Sequence, residues 1–370
     1  MNDYVNDAVA LLQRLIATPS VSREEGAAAD IIFQELTGYG FKPQRHNNNV
    51  WAFSHGFIEG KPTILLNAHI DTVKPVSTWT RDPFTPTLEG DRLYGLGAND
   101  CGGGLVSLMQ VFRAPLQLPP SGGSAPSREQ ASQKASPMGG GLEGGQFIFL
   151  ASAEEEVSGK DGISSMLPLL PKIDVAIVGE PTGMQPAVAE KGLMVLDVIA
   201  HGKSGHAARE EGVNAIYEAL DDLQWIRSYR FDKVSPLLGP VKMQATVINA
   251  GTQHNVVPDE CRVLVDVRTN ELYTNKEVFD IIAKNLRSEV VAHSFRLNSS
   301  SIALDHPLVR RCVELGMQPF GSPTLSDQAL MSFPSFKLGP GDSSRSHTAD
   351  EYICISEIRH AIETYMQLLR

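Results

Sequence analysis

Apolar and polar positions along the chain follow two spacings, which predict strands and helices in turn. Continuous apolar runs of strand length occur in "TILLNAHID", "FIFLASA" and "DVAIVGEP". Between and after these runs, apolar residues recur at helical spacing, as in "GGLVSLMQVF" and "ISEIRHAIETYMQLLR". The alternation predicts a largely parallel sheet covered by helices on both faces. Ser356 is the predicted N-cap of the last helix.

The pattern changes between Met184 and Arg296, where the predicted strands become amphipathic. The strands there are "MVLDVIAHGKSGH", "KMQATVINAG" and "CRVLVDVRTN", and the helices fall near residues 213–228 and 276–288. This order resembles a β-α-β-β-α-β unit inserted into a larger domain. We therefore expect an inserted ferredoxin-like α+β domain at 184–296, between catalytic segments at 1–183 and 297–370.

A second interruption lies between residues 114 and 145. The chain there reads "APLQLPPSGGSAPSREQASQKASPMGGGLEGG", which is rich in proline, glycine and serine and poor in large apolar residues. A segment of this composition buries too little apolar surface to offset the entropy of ordering it. We expect a flexible insertion at the surface of the catalytic domain.

Composition argues against several classes of protein. The chain has 370 residues, 42% of them hydrophobic, which allows a large core and suggests two domains. The net charge of −11, from 32 basic and 43 acidic residues, argues against a nucleic-acid or anionic-membrane partner. No apolar run approaches the ~18 residues of a membrane span, and the first residues lack the pattern of a signal peptide. The four cysteines form no C-x-x-C pair, which fits reduced thiols and a cytoplasmic location.

Histidines and carboxylates are concentrated at the predicted strand ends and in two polar loops. They are His69, Asp71, Asp100, Glu154, Glu155, Glu156, Glu180 and His347. Two carboxylates ~4 Å apart repel by ~4 kcal/mol at an effective dielectric near 20, so adjacent glutamates at a sheet end need a cation. Nitrogen and oxygen donors without thiolates suit zinc, with cobalt or manganese as substitutes. Two metal ions ~3.5–4 Å apart would need about five ligands and one bridge.

The motifs resemble those of a family of dinuclear zinc hydrolases. They are, in order, "ATPSVS", "LNAHIDTV", "LYGLGANDCGGG", "AEEEVSG", "GEPTG", "GKSGHAA" and "GPGDSSRSHTADEY". The family includes acetylornithine deacetylase, succinyl-diaminopimelate desuccinylase, aminoacylase and glutamate carboxypeptidase, and the resemblance covers nearly the whole chain. It implies a zinc-peptidase-like fold with two zinc ions per subunit. The metal ligands that it implies are His69, Asp100 as the bridge, Glu156, Glu180 and His347.

The resemblance also implies roles for residues around the metals. Asp71 would hold His69, and Glu155 would be the general base. A shift of one residue, with Glu154 as the base and Glu155 as the ligand, stays open. His206 would reach the site of a neighbouring subunit and stabilise the oxyanion, the alternative being a structural loop histidine.

The substrate is implied by the inserted domain and by the loop motifs. Asn255 and Arg268 match family positions that hold the substrate's α-carboxylate, although Arg268 could be an ordinary surface arginine. The loop motifs look most like those of acetylornithine deacetylase. We expect a homodimer, formed through residues 184–296, that hydrolyses N-acetyl- or N-succinyl-L-ornithine for arginine biosynthesis. A dipeptidase or aminopeptidase stays open, as does a non-catalytic amino-acid-binding protein.

Overall fold

The computed structural model describes residues 1–114, 145–209 and 211–369. The predicted flexible insertion at 114–145 lies, apart from its two end residues, outside this description. Contacts divide the chain into two compact units. The first unit comprises Met1–Val188, Ile302–Phe320 and Ser326–Arg370, and the second comprises Ala189–Ser301 and Gly321–Leu325. The domain bounds expected from the sequence lie near these divisions and stay a prediction.

The described residues form both α-helices and β-strands. The α-helices are α1 Asn2–Ile16, α2 Gly26–Gly38, α3 Gly103–Arg113, α4 Ile163–Met166, α5 Ala215–Ser228, α6 Asn275–Asn285, α7 Pro307–Glu314 and α8 Ile355–Leu368. The strands are β1 Gln44–His46, β2 Asn49–Phe53, β3 Thr63–His69, β4 Thr87–Glu89, β5 Arg92–Tyr94, β6 Gln146–Ser152, β7 Val175–Val178, β8 Ala187–Glu190, β9 Gly192–His201, β10 Gly205–His206, β11 Lys242–Ala250, β12 Val256–Val257, β13 Glu260–Thr269, β14 Glu289–Ala292, β15 Ser300–Ser301, β16 Phe320–Ser322, β17 Ser335–Lys337 and β18 Tyr352–Cys354.

The first unit is built on a mixed, mostly parallel sheet. Its strands follow the order β1-β2-β6-β3-β7-β17, and β6, β3, β7 and β17 run parallel. Ile148 packs with Ile163 and Met166 of α4, whereas the ring of the next residue, Phe149, lies 5.7 Å from that of Phe112 in α3. Because successive strand residues point to opposite faces, helices cover both faces of the sheet. The predicted fold class is confirmed.

Helix α3 approaches the sheet so closely that only glycine fits at one position. A Cβ atom on Gly104 would lie 1.7 Å from the backbone oxygen of Gly179, which real Cβ atoms do not tolerate. Gly179 lies directly before Glu180, at the carboxyl end of β7. The first turn of α3 therefore packs against the segment that carries a candidate metal ligand.

The second unit is an antiparallel sheet of order β11-β13-β9-β14. Along β13 the buried positions alternate with more exposed ones, and Cys261, Val263, Val265 and Val267 belong to a core that includes residues of α5 and α6. The chain order β9-α5-β11-β13-α6-β14 confirms the predicted ferredoxin-like arrangement. A two-stranded ribbon, β10 with β12, is also part of this unit.

One prediction about the last helix was wrong. Helix α8 begins at Ile355 with Cys354 as its N-cap, and Ser356 lies inside the first turn. The carboxylate of Asp91 accepts the backbone N–H of Ser356 at 3.0 Å, so a residue distant in sequence satisfies this helix end. In the part of the chain that the structure describes, no helix has the length and apolarity of a membrane span.

Candidate active site

The five predicted metal ligands lie together in the first unit. His69 ends β3, Glu156 lies in a 3-10 turn after β6, and Glu180 follows β7. Asp100 lies in an irregular turn before α3, with non-helical backbone angles of φ −117° and ψ 100°. His347 lies in the loop between β17 and β18. The carboxyl ends of neighbouring parallel strands meet at one edge of the sheet, which brings three of these side chains together.

Asp100 faces two histidines with its two carboxylate oxygens. Its Oδ1 lies 3.1 Å from His69 Nε2, and its Oδ2 lies 3.7 Å from His347 Nε2. Glu180 Oε1 lies 3.6 Å from His69 Nε2, and Glu156 Oε2 lies 2.9 Å from His347 Nε2. The cluster thus has a His69 half, completed by Glu180, and a His347 half, completed by Glu156, with Asp100 between them.

The three consecutive glutamates are held by carboxylates that accept their backbone N–H groups. Asp71 accepts from Glu155 through Oδ1 at 3.0 Å and from Glu156 through Oδ2 at 3.1 Å. Glu25, which is fully buried, accepts from Glu154 at 3.3 Å. Two acceptor side chains from distant segments therefore fix the turn in which the glutamates lie.

The geometry of the turn favours one of the two registers that the sequence leaves open. Glu156 contacts His347, whereas the side chain of Glu154 lies against Gly159, where a Cβ would meet its Oε2 at 1.7 Å. Glu154 also has a left-handed backbone, with φ 55°. Burial raises the pKa of Glu155 well above its usual range, and the carboxylates of Glu180, Asp327 and Glu156 add to this shift. Such a carboxylate binds a proton readily, as a general base must.

Asp71 also orients the ring of His69. His69 Nδ1 lies 2.9 Å from the backbone oxygen of Asp71 and 3.6 Å from its Oδ1, which leaves Nε2 for the cluster. Ser22 Oγ donates to Asp71 Oδ2 at 2.7 Å. Burial alone would raise the pKa of Asp71, but the hydrogen bonds from His69, Ser22 and Glu155 hold it below its usual value.

The cluster fits divalent cations by its charge and by its donor atoms. Glu180 Oε1 is buried and accepts no hydrogen bond from the described residues, and burial together with the Asp100 carboxylate raises the pKa of Glu180 to about 8. The carboxylates of Glu155, Glu156 and Asp327 lie nearby, so two imidazoles cannot balance the negative charge. Oxygen and imidazole nitrogen donors suit zinc and its substitutes.

Sequence reasoning missed several buried residues around this cluster. Cys101 lies close to His69 and Glu180, and burial raises the pKa of its thiol to about 12, so it stays protonated. Asp327 accepts from Ser152 Oγ at 2.6 Å. Glu351 accepts from the backbone of the segment around Asp100. Glu351 lies inside the motif "GPGDSSRSHTADEY", so the sequence could have indicated it as a candidate. No motif in the sequence around Asp327 indicates a role for that residue.

The second unit brings the predicted oxyanion residue, His206, close to a predicted substrate residue, Asn255. His206 lies on β10, and the backbone N–H of Ala207 donates to the backbone oxygen of Asn255 at 3.0 Å. The Nδ1 atom of His206 accepts the N–H of Ala208 at 3.1 Å. In the neutral ring the proton is then on Nε2, which can donate to a substrate oxygen.

Arg268 does not join them. It lies near the end of β13 and Asn255 lies before its start, so roughly 27 Å of extended strand separates them within one chain. The Arg268 guanidinium donates to both carboxylate oxygens of Asp266, at 2.9 and 3.0 Å. A common role for Asn255 and Arg268 at one substrate therefore requires two chains.

Two family models match the chain. The model described as peptidase family M20/M25/M40 matches residues 65–122, and the model described as peptidase dimerisation domain matches residues 188–294. The chain is therefore similar to M20 peptidases in one part and to a peptidase dimerisation domain in another. The protein is a metallohydrolase that acts on amides, as do the deacylases and peptidases to which it is similar.

Curated relatives of the chain include deacylases. The acetylornithine deacetylase of Proteus mirabilis is 26% identical, over 100% of this chain and 97% of the relative. The succinyl-diaminopimelate desuccinylase of Buchnera aphidicola is 26% identical, over 82% of this chain and 80% of the relative.

Solved structures with the same fold include peptidases. A tripeptidase from Staphylococcus aureus superposes with a TM-score of 0.73 at 18% identity, over 99% of this chain and 97% of that chain. A dinuclear metal binding peptidase of the M20 family from Bacillus subtilis superposes with a TM-score of 0.69 at 17% identity, over 100% of this chain and 98% of that chain. At 17–18% sequence identity, the similarity to these structures shows the fold alone.

Proposed function

We propose that the protein is a two-zinc deacylase that releases ornithine from N-acetyl-L-ornithine or N-succinyl-L-ornithine, and so serves arginine biosynthesis in the cytoplasm. The observation that carries the proposal is the position of Asp100, whose two oxygens face His69 at 3.1 Å and His347 at 3.7 Å. A carboxylate between two ligand sets is what a pair of bridged metal ions requires. His69, Glu180, His347 and Glu156 would complete the ligand set.

The chemistry then divides between the metals and the protein. Two zinc ions held there would lower the pKa of water to about 7 and polarise the amide carbonyl. Glu155 takes the proton of the attacking water and passes it to the leaving amine. Asp71 keeps Glu155 in place through the backbone N–H at 3.0 Å. His206 donates from Nε2 to the oxyanion that forms on the substrate carbonyl.

His206 would act on the site of a partner chain, which makes the proposed active form a homodimer. An exposed apolar surface in the second unit supports it. Strand β11 is an edge strand whose outer side pairs with no other strand among the described residues. Ile248 on this strand is 55% exposed, and Tyr217 and Leu220 on α5 are 69% and 54% exposed. Edges and apolar patches of this kind are typical of protein interfaces.

The proposed substrate follows the deacetylase relatives, which match nearly the whole chain. Asn255 and Arg268, from different subunits of the dimer, would bind the α-carboxylate of the acylated amino acid. The Arg268 guanidinium donates to the Asp266 carboxylate at 2.9 and 3.0 Å, so the arginine side chain is oriented before a substrate binds.

A peptidase is the second candidate, because the tripeptidase from Staphylococcus aureus shares the fold over nearly the whole chain. The two functions differ in the group that acylates the substrate's amine. In a deacylase substrate this group comes from a simple acid, and in a peptidase substrate it comes from an amino acid. Zinc-loaded protein should be assayed with N-acetylated amino acids and with free-amine dipeptides and tripeptides under the same conditions. Higher kcat/KM for the acylated amino acids supports the deacylase, and the reverse order supports the peptidase.

A further inference from the structure

Glu351 is a buried carboxylate that joins two loops of the candidate active site. It follows His347 by four residues, and its side chain is 2% exposed. Its Oε1 accepts the backbone N–H of Asn99 at 2.8 Å and that of Asp100 at 3.0 Å. Its own backbone oxygen accepts the N–H of Gly95 at 3.0 Å. Three hydrogen bonds thus tie the loop of His347 to the segment that carries Asp100.

Asp100 depends on such an anchor because no regular element fixes it. Its backbone angles, φ −117° and ψ 100°, interrupt the helical turns on either side. The N–H groups of Asn99 and Asp100 therefore need an acceptor from elsewhere, and a buried N–H group without one is costly. Glu351 supplies a single atom for both, which sets the direction in which the Asp100 side chain leaves the backbone.

The geometry of Asp100 is demanding, because its two oxygens must face two different histidines. A shift of about 1 Å in its backbone would leave one half of the cluster without its carboxylate. Asp71 acts similarly on Glu155 and Glu156, but it uses both oxygens for their N–H groups. Glu351 accepts both the Asn99 and the Asp100 N–H on Oε1, so its charge and that acceptor atom can be separated by substitution.

We propose that Glu351 is a positioning residue, which fixes Asp100 between the His69 half and the His347 half and so sets the affinity of the paired metal site. The inference rests on the proposed function only in taking Asp100 as the bridging ligand. Glu351 acts through its oxygen as an acceptor, and the length of its side chain matters more than its charge.

Two substitutions separate length from charge. Glu351→Gln keeps the length and an Oε1 acceptor for both N–H groups but removes the charge. Glu351→Asp keeps the charge but shortens the side chain by roughly 1.5 Å, which takes the acceptor out of reach. Glu59→Gln, at an exposed position, serves as the matched control. Thermal unfolding of each metal-free variant shows whether it is folded.

The measurement is a titration of each metal-free protein with Co²⁺, followed by absorption in the visible range, together with kcat and KM. We expect Glu351→Gln and the control to bind two equivalents as the wild type does. Glu351→Asp should bind at least one equivalent 10- to 100-fold more weakly, with a lower kcat and a KM within about twofold.

Wild-type Co²⁺ affinity in Glu351→Asp would overturn the proposal. So would a loss in Glu351→Gln as large as that in Glu351→Asp, because charge would then be the property that matters. The metal titration needs no substrate. A wild-type protein that binds two equivalents but releases no ornithine would refute the proposed substrate and leave this test intact.

Discussion

The carboxylate of Asp71 accepts the backbone N–H of Glu155 at 3.0 Å, and this bond connects the end of β3 to the turn after β6. The same carboxylate accepts from Glu156 at 3.1 Å and lies 3.6 Å from the His69 ring. One buried side chain thus orients a candidate metal ligand at the end of β3, and the candidate base and a second candidate ligand in the turn after β6. The three adjacent glutamates are compatible with a buried sheet end because their backbone N–H groups are held, and because only Glu155 and Glu156 lie beside the candidate metal cluster while Glu154 lies against Gly159.

Asp71→Asn should weaken metal binding and turnover together. The amide keeps one acceptor oxygen but presents an NH₂ group to one of the two backbone N–H donors. We expect a 10- to 100-fold loss in metal affinity or kcat/KM, the usual effect of removing a ligand's hydrogen-bond partner. Metal content after dialysis and kcat/KM check this, with exposed Asp3→Asn as the control. Full metal content and activity in Asp71→Asn would contradict it.

Glu155→Gln and Glu156→Gln should fail in different ways. Removing the base leaves the ligand set intact, so Glu155→Gln should keep its metal and lose turnover by 10²-fold or more. Glu156→Gln removes a carboxylate that lies 2.9 Å from His347, so it should lose metal from the His347 half. Elemental analysis of both variants decides between the registers. Metal loss in Glu155→Gln with retention in Glu156→Gln would favour the shifted register.

Hybrid dimers should show whether His206 acts across the subunit interface. His206→Ala alone should lower kcat by about 10²- to 10³-fold, as expected for loss of an oxyanion donor. A Glu155→Gln chain and a His206→Ala chain can be co-expressed with different tags and purified through both. If His206 acts on the partner's site, each hybrid has one intact site and about half of the wild-type activity. An inactive hybrid would place His206 at the site of its own chain.

Tyr217→Glu and Leu220→Glu should dissociate the dimer. Both side chains are exposed apolar groups on α5, at 69% and 54%, and a charge placed at a buried interface would be desolvated without a partner. Light scattering after gel filtration should give the mass of one chain for each variant and of two for the wild type. Leu169→Glu, at a position 52% exposed in the first unit, is the control and should stay dimeric. Dimers in both α5 variants would place the interface elsewhere.

Gly104→Ala should destabilise the first unit by about 1–3 kcal/mol, because the added methyl overpacks a closed contact. Its Cβ would lie 1.7 Å from the Gly179 oxygen, whereas a Cβ on Gly38 would meet nothing within 4 Å among the described residues. Thermal unfolding of the two alanine variants tests this comparison. An unchanged Tm for Gly104→Ala would show that α3 can move away from the segment before Glu180.

The sequence predicts best where local pattern decides the structure. The apolar runs of β3, β6 and β7 are buried at every position and end at His69 or shortly before Glu156 and Glu180, so their strand ends could be found without the structure. The order of elements in the second unit could be found in the same way. The ligand and base roles themselves stay predictions.

The remaining features depend on contacts between distant segments, which no local pattern encodes. The bond from Ser152 to Asp327 spans 175 residues, and that from Asp100 to Glu351 spans 251. The prediction for Ser356 likewise missed a distant partner, because Asp91, 265 residues away, accepts the backbone N–H of Ser356. A buried acid and an exposed acid look alike in a sequence until the packing of the loops is known.

The measurement that tests the central claim most directly is ornithine release by zinc-loaded protein from N-acetyl-L-ornithine and, in parallel, from N-succinyl-L-ornithine. The proposal predicts rapid turnover of one of the two, lost on removal of zinc by a chelator and restored when zinc is added back. The faster substrate identifies the acyl group. No release from either substrate by protein with two bound zinc ions would contradict the proposed function.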